Sequence, residues 1–229
     1  EWKQRAKLNV INLSKSLKNY SHRYNSNKKN ISLLDFGCGL GLTLDTARKL
    51  DWEVKGVEMN EFCINFCENK NHTVYSYLSE IDKNIKFDII TLFDVLEHVP
   101  NPTNLLKDLK TKLSKDGFII ITCPNWNSLE RIFFQNNWKA IDPQHYHYFT
   151  VKTMMQILQK TNFKIIKIQT KNFNPFQNKQ IKNNQPSNKM KATSLRSFLS
   201  KGLGFLIKKI FNFFLNIFSL GSTLEVICK

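Results

Sequence analysis

Acidic residues are nearly absent from the second part of the chain. Residues 143–229 contain 14 Lys and Arg but only 1 Asp or Glu, whereas residues 1–142 contain 20 and 17. Most of the net charge of +16 therefore lies in the second part. This asymmetry indicates an anionic partner, such as a phospholipid surface, a phosphorylated or acidic substrate, or nucleic acid. A general drift of the composition towards Lys and Asn would explain it equally well.

The sequence also lacks a cysteine framework and a secretion signal. Its cysteines are odd in number and match no zinc or disulfide spacing: Cys38, Cys63, Cys67, Cys123 and Cys228. We therefore expect reduced thiols in a cytoplasmic protein. No signal-peptide pattern follows Glu1, and the sequence leaves open whether another segment precedes it.

An uninterrupted membrane-spanning run is missing as well. The most apolar stretch, LGFLIKKIFNFFLNIFSL at 203–220, contains two lysines and a narrow polar stripe, which makes it a poor spanning helix. As an amphipathic helix it could lie in a bilayer interface, so peripheral membrane contact is one interpretation. Packing against the sheet or against a dimer partner is the other.

What is present favours one globular domain. The chain has 229 residues, of which 41% are apolar and 23% charged. We expect a helix and loop over 1–29, a ligand-binding core over 30–172, a basic loop and amphipathic helix inserted over 173–221, and a last strand over 222–229.

Within the core, apolar runs alternate with helical patterns. The predicted strands are ISLLDF, WEVKGV, KFDIITLF, GFIIITC, FKIIKIQT and STLEVICK, the last two side by side. Asn101-Pro102 predicts a helix start, and Asp116-Gly117 a turn before the next strand. This alternation is typical of a parallel sheet, five or more strands wide, with crossover helices.

A glycine-rich turn follows the first of these strands. In LLDFGCGLGLTL, Gly37, Gly39 and Gly41 stand between a strand and a helix. Glycine permits positive φ, and it allows backbone N–H groups to approach a ligand closely. A dinucleotide turn needs a further glycine at position 42, which is Leu42 here, so a nicotinamide-dependent oxidoreductase is disfavoured.

Two carboxylates accompany the turn. Asp35 lies at the end of the strand, where a carboxylate suits a positively charged ligand better than a pyrophosphate. Glu58 follows WEVKGV, where it could accept hydrogen bonds from both hydroxyls of a ribose. A solvated residue at a helix start is the alternative for Glu58.

The segments LLDFGCGLG, VKGVE and FDIITLFDVLEHVPNP, in this order and spacing, resemble class I S-adenosylmethionine-dependent methyltransferases. The resemblance covers about residues 30–170, and within the class it is to the bacterial branch with ubiquinone-biosynthesis O-methyltransferases and sugar-modifying enzymes. It implies a doubly wound, Rossmann-like α/β fold. The sheet would be mostly parallel and seven-stranded, with helices on both faces and an antiparallel last strand.

The resemblance also implies which residues bind the cofactor S-adenosyl-L-methionine. They are Asp35, Gly37, Cys38, Gly39, Glu58, Met59, Tyr77, Leu78, Phe93 and Asp94. Phe93 and Asp94 would border the methionine part. Tyr77 and Leu78 are expected at the adenine edge, although the family usually has a small residue and an acid where this chain reads VYSYLSE.

Asp94, Glu97 and His98 would share one face of a helix, since they are spaced i, i+3 and i+4. Some ubiquinone-pathway relatives are thought to bind a divalent cation at the matching positions. Three interpretations stay open: Glu97 as a local cap with His98 as a buried, hydrogen-bonded residue, a metal site, or His98 as a catalytic base. No metal is assigned.

DPQHYHYFT matches an acid-Pro-x-His-aromatic segment that the family has over the mouth of the site, with Gln144 where relatives often carry arginine. His145 is the expected catalytic base, with His98 or His147 as alternates, because an imidazole titrates near ~6.5. A role for His145 in shaping the loop stays open. Apolar walls are expected from Trp126, Trp138, Tyr146 and Phe149.

We therefore expect methyl transfer to a hydroxyl of a small or lipid-linked acceptor, a sugar or a polyprenyl aromatic. The protein would mainly align nucleophile and methyl group and exclude water. The alternative is a basic module on this scaffold that docks on RNA or a membrane without catalysis. The intact cofactor turn argues against this alternative, and nucleic acid is disfavoured as a partner.

Overall fold

A computed structural model describes residues 30–172 and 213–229. The predicted helix over 2–20, the basic loop from 173 and the first ten residues of the predicted helix over 203–220 lie outside the described residues. The strands are β1 Ser32–Phe36, β2 Glu53–Val57, β3 Thr73–Tyr75, β4 Phe87–Phe93, β5 Leu113–Pro124, β6 Ile165–Lys171 and β7 Thr223–Cys228. The α-helices are α1 Leu42–Arg48, α2 Glu61–Glu68, α3 Pro102–Lys112, α4 Leu129–Phe134 and α5 Val151–Lys160.

The strands form one sheet in the order β3-β2-β1-β4-β5-β7-β6. β1 to β5 are parallel to one another. β7 lies between β5 and β6 and is antiparallel to both. The seven-stranded, mostly parallel sheet with an antiparallel last strand is confirmed. The strand order reverses between β1 and β4, and ligands of open α/β sheets bind at such a switch point, beyond the carboxyl ends of the strands.

Helices cover both faces of the sheet because alternate strand residues point to opposite sides. Leu34 and Ile90 face one side, in a cluster that includes residues of α3 and α5. Their neighbours Leu33 and Ile89 face the other side, with residues of α1 and α2. The doubly wound architecture therefore follows directly from strands that are apolar on both faces.

Local signals explain where two elements begin. Asn101 caps α3 by accepting from the Asn104 N–H at 3.1 Å, with Pro102 in the first turn, as the sequence predicts. The turn predicted at Asp116-Gly117 is instead an irregular start of β5, where the pairing with β4 shifts register. A Cβ at Gly117 would lie 2.8 Å from the Phe87 carbonyl oxygen, so only glycine fits there.

The segment that leads into β7 is bound to the carboxyl end of β5 by one buried side chain. The Asn125 amide donates to the carbonyls of Ser219 and Gly221, both at 2.8 Å. The backbone N–H of Asn125 donates to the Ser222 carbonyl at 2.9 Å. The chain before β7 is thereby brought beside the loop that follows β5.

Candidate functional site

The glycine-rich turn after β1 has a left-handed backbone at all three glycines. Their φ angles are 74° at Gly37, 50° at Gly39 and 72° at Gly41. A Cβ on Gly37 would lie 2.5 Å from a methyl carbon of Val95, so this glycine allows the turn to pack on the segment after β4. A Cβ on Gly39 would meet no atom within 4 Å, so this glycine faces open space. The space beside Gly39 is where a ligand can approach the turn.

The N–H groups of Gly37, Cys38 and Gly39 donate within the protein, and the approach of the turn's N–H groups to a ligand stays a prediction. Gly37 and Cys38 both donate to the Val57 carbonyl, at 2.8 and 3.1 Å. Gly39 donates to Oε2 of Glu58 at 2.8 Å. Because a phosphate requires free N–H donors, this arrangement favours a positively charged ligand over a pyrophosphate.

Asp35 is buried at the end of β1. Its Oδ1 atom accepts a hydrogen bond from the Thr91 hydroxyl at 2.6 Å. Burial is the main cause that raises the pKa of Asp35, from 3.8 to about 7, although hydrogen bonds from Thr91 and Thr43 oppose the shift. A cation beside Asp35 would favour its ionised form, so the carboxylate suits a ligand that carries positive charge.

Glu58 fixes the turn to the end of β2. Its Oε1 atom accepts from the N–H groups of Met59 and Asn60 at 2.8 and 2.9 Å, and its Oε2 atom from Gly39. A carboxylate offers about four acceptor positions, so these bonds leave about one for a ligand hydroxyl. Contact of Glu58 with both hydroxyls of a ribose stays a prediction. It requires a ribose hydroxyl to replace the N–H group of Met59 or Asn60 as a donor to the carboxylate.

The other predicted cofactor residues differ in their surroundings. Met59 and Tyr77 are exposed beyond the ends of β2 and β3. Leu78 packs against the main core, and Phe93 packs against the core on the other face. The Cys38 side chain is buried, with its sulfur 2.7 Å from where a Cβ of Gly56 would lie, so it faces away from the open space.

The predicted helix through Asp94, Glu97 and His98 is wrong. Asp94 has a left-handed φ of 55°, and a single 3₁₀ turn follows at Leu96–His98. The Asp94 N–H donates to the Thr122 carbonyl at 3.0 Å, and the Thr122 hydroxyl donates to Asp94 at 3.2 Å. Asp94 is thereby held against the end of β5 instead of stacking over Glu97.

The residues that do come together are Glu97, His98 and His145. One ligand atom from each lies within 4.8 Å of the others, which is compatible with a shared metal ion. The rings of His98 and His145 meet edge to face, with centroids 4.5 Å apart. Glu97 follows by two residues Val95, the residue that a Cβ of Gly37 would meet, so this segment connects the cluster to the glycine-rich turn.

Both histidines have a defined tautomer. Nδ1 of His98 lies 3.0 Å from the Gln144 carbonyl oxygen, and Nδ1 of His145 lies 2.8 Å from the Ala140 carbonyl oxygen. A carbonyl oxygen only accepts, so each Nδ1 carries a proton, and in the neutral ring the lone pair is on Nε2. His145 therefore has both the loop-shaping bond and a basic nitrogen. His147 donates from Nε2 to the Pro100 carbonyl at 3.3 Å, and its role as an alternate base stays a prediction.

Glu97 is the anomalous member of the cluster. It is buried, and within residues 30–172 and 213–229 neither carboxylate oxygen has a hydrogen-bond partner. The local cap expected from its side chain is therefore wrong, although its backbone carbonyl accepts from Tyr146 and His147. Burial above all, with the nearby charge of Asp94, raises the pKa of Glu97 to about 8, although a weak interaction with its own backbone N–H opposes the shift. A cation next to it would remove the cost of an unpaired buried carboxylate.

The predicted aromatic walls divide into two groups. Trp126 borders a cavity of about 350 Å³ and contacts Tyr148, while Trp138 is buried behind it. Phe149 belongs to the main core, and Tyr146 is exposed.

Sequence reasoning missed two polar groups, Thr91 and Arg131. Thr91 is the one hydroxyl in β4 and, apart from Asp88, its one polar residue, which is a signal that could have been read. Arg131 lines the cavity from α4, and nothing in its sequence context distinguishes it.

The sheet order and the acid-flanked glycine turn define a Rossmann-like fold of the class I methyltransferase type. A family model described as a methyltransferase domain matches residues 9–168. The chain belongs to this family of methyltransferase domains, and the predicted resemblance is confirmed. No helix in the described part of the chain is long and apolar enough to cross a membrane.

Curated relatives and solved structures agree with this family. The chain is 34% identical over 106 residues to the ubiquinone biosynthesis O-methyltransferase of Glaesserella parasuis, over 41% of this chain and 45% of that protein. It is 27% identical over 164 residues to the Pelagibacter ubique protein of the same name, over 66% and 68%. The match thus spans about half the length of the first relative and about two thirds of the second.

Two solved structures share the fold. A SAM-dependent methyltransferase from Archaeoglobus fulgidus has a TM-score of 0.59 and 25% identity, over 94% of this chain and 93% of that one. The plantazolicin methyltransferase BamL in complex with a triazolic desmethylPZN analog and SAH has a TM-score of 0.60 and 16% identity, over 100% of this chain and 90% of that one. These matches lend no support to a non-catalytic docking module.

Proposed function

We propose that this protein transfers a methyl group from S-adenosylmethionine to a hydroxyl group of a sugar or an aromatic acceptor. The observation that carries the proposal is the pair of imidazoles, His98 and His145, which meet edge to face and use Nδ1 for a backbone carbonyl, so that Nε2 is left for a proton of the acceptor. The names of the curated relatives and of the Archaeoglobus structure support the cofactor and the use of an oxygen nucleophile.

The cofactor would lie in the open space beside Gly39. Its ammonium and sulfonium charges favour the ionised form of Asp35, and its ribose would use the remaining acceptor position of Glu58. The sulfonium already activates the methyl group, so the protein has to hold the acceptor oxygen in line with it and exclude water.

His145 accepts the proton of the acceptor hydroxyl on Nε2, with His98 as the alternate. The Ala140 carbonyl holds the ring in the required tautomer. The ionised form of Glu97, within 4.8 Å of both histidines, stabilises the imidazolium that results. A neutral imidazole is the form that accepts the proton.

The same three side chains fit a divalent cation, because they supply two neutral imidazole nitrogens and a buried carboxylate without partners. A cation held there by Glu97, His98 and His145 would lower the pKa of the acceptor hydroxyl. Treatment with EDTA separates the two cases. Loss of methyl transfer, restored by added metal, assigns the cluster to a cation, whereas full activity assigns it to proton transfer.

The test compares binding with turnover. The affinity for SAH is measured by isothermal titration, and methyl transfer from labelled S-adenosylmethionine is screened on catechols and sugars. Asp35→Ala and Glu58→Ala should weaken SAH binding, while His145→Gln should bind SAH normally and lose at least tenfold in turnover. No SAH binding by a well-folded parent protein would refute the proposal.

A lipid-linked acceptor would be reached at a membrane surface through the end of the predicted helix over 203–220. In its described part, residues 213–217 are helical and Leu215 is buried. Large apolar side chains beside it stay exposed, namely Phe213, Phe214, Ile217 and Phe218. These exposed apolar side chains, together with the basic composition of residues 143–229, suit contact with the surface of an anionic membrane.

Vesicle flotation tests this contact directly. Vesicles that contain phosphatidylglycerol should carry the protein upward, and zwitterionic vesicles should carry less. Phe214→Ser combined with Phe218→Ser should weaken flotation. Phe133→Ser removes an exposed phenylalanine from α4, away from this segment, and serves as the control. Equal flotation of parent and double variant would exclude this contact.

A further inference from the structure

A cavity of about 350 Å³ lies beside the loop that follows β5. Its volume is that of a small ligand pocket, which would hold a ring with a few substituents. It is lined by Trp126, Arg131, Ile132, Gln135, Asn136 and Ile141. This lining offers an aromatic face and aliphatic groups for a ring, two amides for hydroxyl groups, and a single cation.

Arg131 is the group that distinguishes this cavity. Its guanidinium carbon lies 4.2 Å from the centroid of the Trp126 ring. Stacking of this kind occupies the face of the guanidinium and leaves its in-plane N–H donors for an oxygen ligand. Among the described residues, no carboxylate or carbonyl accepts from the Arg131 side chain. Since arginine stays charged at every physiological pH, the cavity always offers a cation.

The cavity and the histidine cluster share an aromatic wall. The Trp126 ring contacts Tyr148 with centroids 4.9 Å apart, and Tyr148 contacts His145 at 5.9 Å. Trp126, Tyr148 and His145 thus form a continuous series of aromatic contacts from the cavity to the histidine cluster. A ring compound bound in the cavity could be held at one end by Arg131 and present a hydroxyl at the other.

We propose that this cavity binds the acceptor and that Arg131 selects acceptors carrying an anionic group, a carboxylate or a phosphate, on a hydroxylated ring. The inference rests on the proposed function, because it assigns the cavity to the methyl acceptor. Arg131 is a binding and specificity residue here. The amides of Gln135 and Asn136 contact ring hydroxyls that are not methylated.

The experiment uses two matched pairs of probes that differ in one anionic group. These are 3,4-dihydroxybenzoate against catechol, and glucose 6-phosphate against glucose, each titrated by calorimetry into the protein with and without bound SAH. The charged member of at least one pair should bind at least tenfold more tightly. The pair that shows this preference identifies the acceptor as an aromatic acid or as a sugar phosphate.

Arg131→Gln should abolish the preference and leave the affinity for SAH unchanged, which also shows that the variant is folded. Lys139→Gln removes the same charge from an exposed position outside the cavity and should keep the preference. Equal affinities within both pairs, no binding of any probe, or a preference that survives in Arg131→Gln would each overturn the inference. Failure of SAH binding in the parent would instead refute the proposed function.

Discussion

Gly39→Ala should separate cofactor binding from stability. The φ of 50° at Gly39 is left-handed, which costs an alanine about 1–2 kcal/mol of folding free energy. No further cost arises from packing, because the added Cβ would meet no atom within 4 Å. The methyl group instead occupies the space where the cofactor would approach the turn. One misplaced carbon in a binding site costs about 1–3 kcal/mol, so the Kd for SAH should rise roughly 10- to 200-fold.

Gly37→Ala is the matched control, two residues away in the same turn. Its φ of 74° carries a similar backbone cost, and its Cβ would lie 2.5 Å from a methyl carbon of Val95. Backbone strain and overpacking together should lower the free energy of unfolding by about 2–5 kcal/mol. This variant should therefore lose mainly stability.

Urea denaturation gives the free energy of unfolding of each variant, and isothermal titration gives its Kd for SAH. The reasoning is refuted if folded Gly39→Ala binds SAH as tightly as the parent. It is also refuted if Gly39→Ala is destabilised more than Gly37→Ala, because the open space and the close contact would then be wrongly assigned.

Three further predictions concern charged groups. The pKa of Asp35 is raised from 3.8 to about 7, so the unliganded protein should lose stability between about pH 4 and about pH 7, where the unfolded chain is ionised and the folded chain still holds a proton. Calorimetric Tm values across this range should fall, and the fall should be smaller in Asp35→Asn. Glu97→Gln removes an unpaired buried carboxylate, so its Tm above about pH 8 should equal or exceed that of the parent while methyl transfer falls at least tenfold. Glu225→Gln removes a partly exposed ion pair with Lys171, at 2.7 Å, and should cost about 1 kcal/mol in urea denaturation.

Each of these has an opposite outcome that would count against it. A Tm that rises over the acid range in the parent, or an equally steep fall in Asp35→Asn, would show that Asp35 is ionised throughout. A large loss of Tm in Glu97→Gln would mean that the carboxylate has a partner in solution. No effect of Glu225→Gln in low salt would mean that the pair contributes nothing.

Much of the fold could be predicted because its signals are local. Apolar runs such as FDIITLF are buried on both faces only in a parallel sheet covered by helices, and their alternation with helical patterns led to the doubly wound architecture. The start of α3 was predicted for the same reason, since Asn101 and Pro102 act within one helical turn. Asp116-Gly117 was misplaced because the register shift there depends on the neighbouring strand β4.

The candidate site, like the fold, has parts that local sequence predicts and parts that depend on tertiary contacts. The sequence by itself determined the glycine turn and its two acids. Glycine permits the positive φ angles of the turn, and the ends of parallel strands bring the two acidic side chains to one edge of the sheet. Only the tertiary structure decided that Glu97 and His98 meet His145, and that Arg131 stacks on Trp126. The first contact joins segments that are distant in the chain, and the second depends on how the loop after β5 leads into α4, so no local pattern encodes them. Packing at the carboxyl edge of the sheet brings them together.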